Sequence, residues 1–252
     1  MLDMLGQSEY GLYSLAQSAV SYLSLLSFGF GSTIIRYIAK YRAEGNKEAV
    51  EKTYGFFILL YSILSLLVLV VGVFISCNVE PIFHRGLTVA EQSKMRILVL
   101  IMTFNSALSF PVSVFSSMIT AYERYIYRKL IDMLATVGAP AANLIALYMG
   151  YASIGMSVAA TIIQFIMLPL YAGYCFKALG LRPRFSILPK PLIKELFGFS
   201  AFIFLGSLVD MLFWSTDKVI LGMLSSSVAV AIYNVGGTFN NIVMQLSTSI
   251  SG

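Results

Sequence analysis

Apolar stretches of about 20 residues recur along the chain, separated by short charged segments. A helix rises about 1.5 Å per residue, so a stretch of this length crosses a hydrocarbon core of roughly 30 Å. The pattern predicts helices at about Leu12–Ile35, Tyr54–Ser76, Ile97–Thr120, Ile131–Gly150, Ile154–Phe176 and Phe197–Trp214, with a further one beginning near Val228. The alternating segments of about ten residues that mark a membrane β-barrel are absent from the sequence. The expected fold class is therefore all-α, a polytopic transmembrane helical bundle.

Two stretches stand out against the apolar background. Leu5-Gly6-Gln7-Ser8-Glu9-Tyr10-Gly11-Leu12-Tyr13 reads as a tight polar loop leading into a serine-striped helix. A cruder version returns as Leu221-Gly222 and Ala231-Ile232-Tyr233, 216 to 220 residues later. If the two are copies, the chain is one repeat of a duplicated membrane protein plus the start of the second. The implied organisation is a first bundle over 1–180, a linker over 181–195 and the beginning of a second bundle over 196–252. An even number of helices between the copies makes the repeats parallel, related by an axis along the membrane normal. A chain that starts in a loop and stops inside an apolar run is expected to lack a helix at its start and most of the second bundle. Such a piece is not expected to transport by itself.

Composition agrees with the hydropathy pattern. The chain is 58% hydrophobic and 12% charged, against about 25% charged in soluble domains. The net charge of +5 is not a nucleic-acid signal, because its distribution follows the helices. The segments Arg36–Lys52, Ala121–Leu130 and Lys177–Glu195 hold 13 of the 17 Lys and Arg residues. Cytoplasmic loops retain such an excess, which places these segments inside and the alternate ones outside. Residues 1–11 then lie outside. Cys77 and Cys175 fall at opposite membrane faces with no metal-type spacing, and no secretory signal peptide is evident.

Candidate chemistry is sparse. On the first helix Ser14, Ser18, Ser21, Ser32 and Arg36 fall within about 60° of one another at 100° per residue, with Gln17 at the edge. They read either as a substrate-facing wall ending in a cation or as small-residue helix packing. Asp210 lies well inside an apolar helix, where an ionisable group is costly and faces a pathway or a partner. Asp217 and Lys218 follow near the outer interface, as a functional pair or an interface ion pair. Asp132, at the inner start of its helix, complements the helix dipole or serves ion coupling. Pro111, Pro140 and Pro169 interrupt three successive helices, with Asn105 and Asn143 nearby as groups that line a cavity or bridge helices. His84, the only histidine, sits in an outer loop with Glu80 and Glu91, and nothing in their spacing fixes a site. No metal-ligand cluster, phosphate-binding loop or nucleophile motif occurs, so neither a cofactor nor an enzyme activity is expected.

The order of these motifs resembles the polysaccharide and O-antigen repeat-unit flippases of the multidrug/oligosaccharidyl-lipid/polysaccharide exporter superfamily. The residues concerned are Leu5-Gly6-x3-Tyr10-Gly11-x-Tyr13, Phe28-Gly29-Phe30-Gly31, Ile34-Ile35-Arg36-Tyr37, Arg42-x-Glu44-Gly45, Asp217-Lys218-x2-Leu221-Gly222 and Ala231-Ile232-Tyr233. The resemblance covers essentially the whole chain. It implies two six-helix lobes around a cavity that opens to each side in turn. It also implies a polyprenyl-pyrophosphate-linked oligosaccharide moved from inner to outer leaflet of a bacterial plasma membrane. Arg36 matches the family's arginine at this helix end and would hold the diphosphate. Lys218 would be the next cation, with Ser14, Ser18, Ser21, Asn105 and Asn143 lining the cavity and Asp210, Asp217 or Asp132 coupling a cation. Expected partners are the lipid-linked oligosaccharide, membrane lipids and polysaccharide-assembly proteins, with no nucleic acid. Family members often carry a proline just inside the helix after the linker, and Phe197-Gly198-Phe199-Ser200 has none. The competing readings are a cation-coupled multidrug antiporter of the same superfamily, a membrane glycan polymerase or ligase, and a non-transporting helical scaffold.

Overall fold

The structure is a computed structural model that describes residues 5–83, 86–185 and 190–238. Its elements are α1 (Gln7–Ser21), a 3₁₀ segment (Tyr22–Ser27), α2 (Phe30–Ala43), α3 (Lys47–Cys77), the short α4 (Val79–Phe83), α5 (Val89–Ala121), α6 (Tyr125–Tyr148), α7 (Ala152–Gly173) with a π-helical end (Tyr174–Ala178), and α8 (Lys190–Leu224). A last helix, α9, covers residues 227–238. His84 lies outside the described residues, as does the expected continuation beyond residue 238.

Six helices are long and apolar enough to cross a membrane, at Gln7–Ala43, Lys47–Cys77, Val89–Ala121, Tyr125–Tyr148, Ala152–Ala178 and Leu192–Phe213. The chain is a multi-pass helical membrane protein. Its surface agrees: Leu66, Val70 and Phe74 on α3 and Met133, Leu134 and Val137 on α6 are exposed where a soluble protein would bury them. Lipid is as apolar as these side chains, so the helices associate through close packing and polar contacts rather than by escape from water.

α5 is the centre of the first bundle and packs against α1, α2, α3 and α7. Its approach to α3 depends on Gly72, where an added Cβ would lie 2.1 Å from the Thr103 methyl. Pro111 cannot donate to the Ala107 carbonyl one turn back, and the Ser65 hydroxyl of α3 donates to that oxygen instead, at 2.8 Å. A ring cluster of Phe30, Phe57, Tyr61 and Phe110 fills the space between α2, α3 and α5.

The helices overrun their apolar stretches. The run expected to end at Trp214 continues to Leu224, so Asp217 and Lys218 are helical rather than in a loop. The opening stretch is helical from Gln7, because only Gly6, at φ +77°, leaves helical geometry. Conversely, the helix expected over Leu12–Ile35 is broken. Phe28 (φ 49°) and Gly29 (φ 67°) are both left-handed, a conformation that costs a non-glycine residue roughly 1–2 kcal/mol. The Phe28 ring is held 5.0 Å from Phe204 and 6.0 Å from Phe30.

Candidate functional site

The break divides the predicted serine wall. A 3₁₀ segment turns every three residues instead of 3.6, so α2 does not continue the face of α1. Ser14 and Ser18 are buried, Ser21 is half-buried, and Ser32 and Arg36 are exposed on the other helix. The stripe is two separate surfaces, joined by their shared neighbour α8.

α8 runs antiparallel to the whole α1–α2 segment. From the end predicted to face the cytoplasm, the Arg36 guanidinium lies 4.5 Å from the centre of the Phe199 ring. Thr33 and Ser200 share a buried 2.7 Å hydrogen bond. Ile203 occupies the space a Gly29 side chain would need. Further along, Tyr22 meets Thr216 at 2.8 Å, and Ser21 reaches Met211 and Ser215. Gly222 then receives the Leu15 side chain.

Neither Arg36 nor Arg42 forms an ion pair among the described residues, and the two differ in what else they touch. The Arg42 guanidinium donates to the Ala121 carbonyl at the C-terminus of α5 and lies 4.2 Å from the Tyr122 ring. A cation at a helix C-terminus is favourable, and this one fixes α2 to α5. Lys218 is half-buried in α8 beyond the span, and burial pushes its ammonium below the ordinary lysine value. Phe199 and Lys218 are nineteen residues apart on one helix, which separates Arg36 from Lys218 by roughly 28 Å.

The predicted acids do not converge. Asp132 lies two turns inside α6, not at its start; it pairs with Arg128 at 3.7 Å and accepts a bond from the Tyr171 hydroxyl. Asp217 accepts from Tyr233 and forms no ion pair with Lys218. Asp210 is exposed on α8. Asn143 on α6 has a buried side-chain oxygen with no hydrogen-bond partner among the described residues. No group of three or more metal-type side chains occurs among the described residues.

Asn105, by contrast, lines a cavity of about 310 Å³ between α1, α5 and α7. Each helix contributes residues at helical spacing: Tyr13, Gln17 and Ser21 from α1; Asn105 and Ser109 with Met102 and Ser106 from α5; and Ser157 and Ala160 from α7. Ser21 therefore touches both this cavity and α8. Ser106, Ser109 and Ser157 carry no sequence signal, because each is an ordinary helical residue until three faces are brought together, and Tyr13 stands out only as part of the opening motif.

At the end predicted to lie outside, the two sequence copies meet. Ser8 and Ser227 both donate to one carboxylate oxygen of Glu91, at 2.6 and 2.5 Å, and lie 3.2 Å from each other. The other Glu91 oxygen accepts from the backbone and hydroxyl of Thr88, forming a capping box that holds it in place. An added Cβ on Gly11 would sit 1.7 Å from the Ser227 carbonyl oxygen, and one on Gly86 would sit 2.0 Å from that of Gly222. The Asn234 amide donates to Tyr10 at 2.8 Å and to Ser14 at 3.0 Å. Glu9 ties the same end of α1 to Lys94 and Ser153. The legible signal for Glu91 was Thr88-x-x-Glu91, the sequence mark of a capping box.

The family model described as polysaccharide biosynthesis protein matches residues 3–252. No curated protein and no solved structure matches the chain. The match covers nearly every residue, including both copies of the Leu-Gly…Tyr stretch and the broken helix between Gln7 and Ala43. The chain belongs to the polysaccharide biosynthesis protein family, the family of the O-antigen and polysaccharide flippases.

Proposed function

We propose that the protein is a flippase that carries a polyprenyl-pyrophosphate-linked oligosaccharide from the inner to the outer leaflet of a bacterial plasma membrane. It acts by alternating access and as a transporter rather than an enzyme. The observation that carries this reading is the polar seam between α1–α2 and α8, with an arginine at its inner end that forms no ion pair among the described residues. An arginine without a carboxylate partner at the membrane boundary suits a diphosphate, which guanidinium binds through paired hydrogen bonds. Its stacking on Phe199 orients it without neutralising it. Lys218 is too distant to grip the same diphosphate at the same time, so the two cations serve successive positions of one head group.

The cluster of Ser8, Glu91, Ser227, Tyr10 and Asn234 serves in this reading as the outer closure. It joins the first bundle to α9, the helix that follows α8 in the second bundle, and it must open for release.

Arg36→Ala in the exporter abolishes surface-polysaccharide export while membrane abundance is unchanged. Normal export by that variant would remove Arg36 from the site.

A further inference from the structure

The cavity between α1, α5 and α7 has no charged lining residue. A charged ligand there would lie inside the membrane with no counter-charge, which is costly. Its polar groups are nonetheless unspent. The Gln17 and Asn105 amides and the Tyr13 hydroxyl make no hydrogen bond among the described residues, and each can both donate and accept. The Ser106 hydroxyl likewise makes none, whereas the other three serine hydroxyls are different. Ser21 donates to the Ser18 carbonyl at 2.7 Å, Ser109 to that of Ser106 at 2.6 Å, and Ser157 to that of Ser153 at 3.0 Å. Their protons are used within the helices, and their lone pairs remain as acceptors. Val20, Met102 and Ala160 supply apolar wall between the polar groups.

The complement of this lining is an uncharged molecule with several hydroxyl or amide donors, some acceptors, and C–H faces between them. A bare cation needs a tight shell of oxygens at about 2.3–2.6 Å, as calcium does, and cannot fill about 310 Å³. That volume is at the small end of small-molecule pockets. We infer that this cavity binds a neutral sugar unit, and that the diphosphate of the same substrate lies elsewhere. The inference rests on the flippase reading for its biological ligand but not for its chemistry. Ser21, which lines the cavity and also contacts Met211 and Ser215, places sugar binding next to α8.

The test uses the purified protein in nanodiscs, methyl N-acetyl-β-glucosaminide as a neutral probe, and inorganic pyrophosphate as a charged one. Saturation-transfer NMR is expected to show the glycoside bound, with affinity reduced at least tenfold in Asn105→Leu and in Gln17→Leu and unchanged in Ser62→Ala, a variant on the exposed face of α3. In a background lacking Cys77 and Cys175, Asn105→Cys is expected to react with a small methanethiosulfonate reagent, and the glycoside to slow that reaction. Absence of glycoside binding overturns the inference. So does equal binding by Asn105→Leu, an unreactive Asn105→Cys, or pyrophosphate alone protecting that cysteine. Export by Arg36→Ala is a separate measurement. Loss of sugar binding with an export-dead Arg36→Ala removes only this site, whereas intact sugar binding with normal export by Arg36→Ala removes only the diphosphate assignment.

Discussion

Gly11→Ala is the sharpest perturbation of the outer closure. The added methyl would lie 1.7 Å from the Ser227 carbonyl oxygen and 3.2 Å from the Ala231 nitrogen. Non-bonded heavy atoms settle at roughly 3.5 Å, so α1 and the start of α9 must part by about 1.5 Å or more. That displacement stretches the Ser8–Ser227 contact from 3.2 Å and the Asn234 bonds to Tyr10 and Ser14 from 2.8 and 3.0 Å beyond hydrogen-bonding range. With Ser8 and Ser227 replaced for the assay below, the two Asn234 bonds are the ones lost; at about 1 kcal/mol each the closed contact weakens by roughly 2 kcal/mol, or about thirtyfold in population. The assay is disulfide formation between Ser8→Cys and Ser227→Cys in membranes, in a background lacking Cys77 and Cys175. Gly11→Ala is expected to slow cross-linking at least tenfold at equal protein abundance. Gly138→Ala, whose Cβ meets nothing within 4 Å, should not slow it. An unchanged rate in Gly11→Ala would refute the close approach.

Other consequences follow from single contacts. Glu91→Gln keeps the shape of the cluster but loses the charge that Ser8, Ser227 and Thr88 donate to, and is expected to destabilise the protein by about 1–3 kcal/mol in thermal unfolding; an unchanged midpoint removes Glu91 from the closure. Ser65→Ala leaves the Ala107 carbonyl unpaired in the membrane and should cost roughly 0.6–1.7 kcal/mol. In a Pro111→Ala background the helix supplies its own donor, so the cost of Ser65→Ala should largely disappear, and a double-mutant cycle with no coupling would contradict this role.

The spans were legible because membrane insertion is written in simple terms: length and apolarity mark the six long helices that the structure contains. The uneven distribution of Lys and Arg carries the expectation of which ends face the cytoplasm. Helix ends were less legible, since polar residues such as Asp217 and Lys218 extend a helix past the hydrocarbon without altering its backbone. Gly29-Phe30-Gly31 marked a bend in the first helix, but not the left-handed Phe28 before it; no local preference favours that geometry for a phenylalanine, whose ring packs 5.0 Å from Phe204. Periodicity placed Gln17 at the edge of a helix face and Asn105 stood out as a polar group near Pro111, but neither signal shows that the two share one cavity. The likeness of the Leu5–Tyr13 and Leu221–Tyr233 stretches was visible in the chain. Their contact was not, because it depends on Gly11 admitting the Ser227 backbone closer than any side chain allows.

The central claim is that the protein passes a lipid-linked oligosaccharide across the membrane by opening and closing the seam between the two repeats. The direct test is translocation of that substrate in vesicles by the exporter with Ser8→Cys and Ser227→Cys joined by a disulfide. Oxidation is expected to stop translocation, and reduction to restore it. Translocation at the same rate in the oxidised and reduced protein would contradict the central claim.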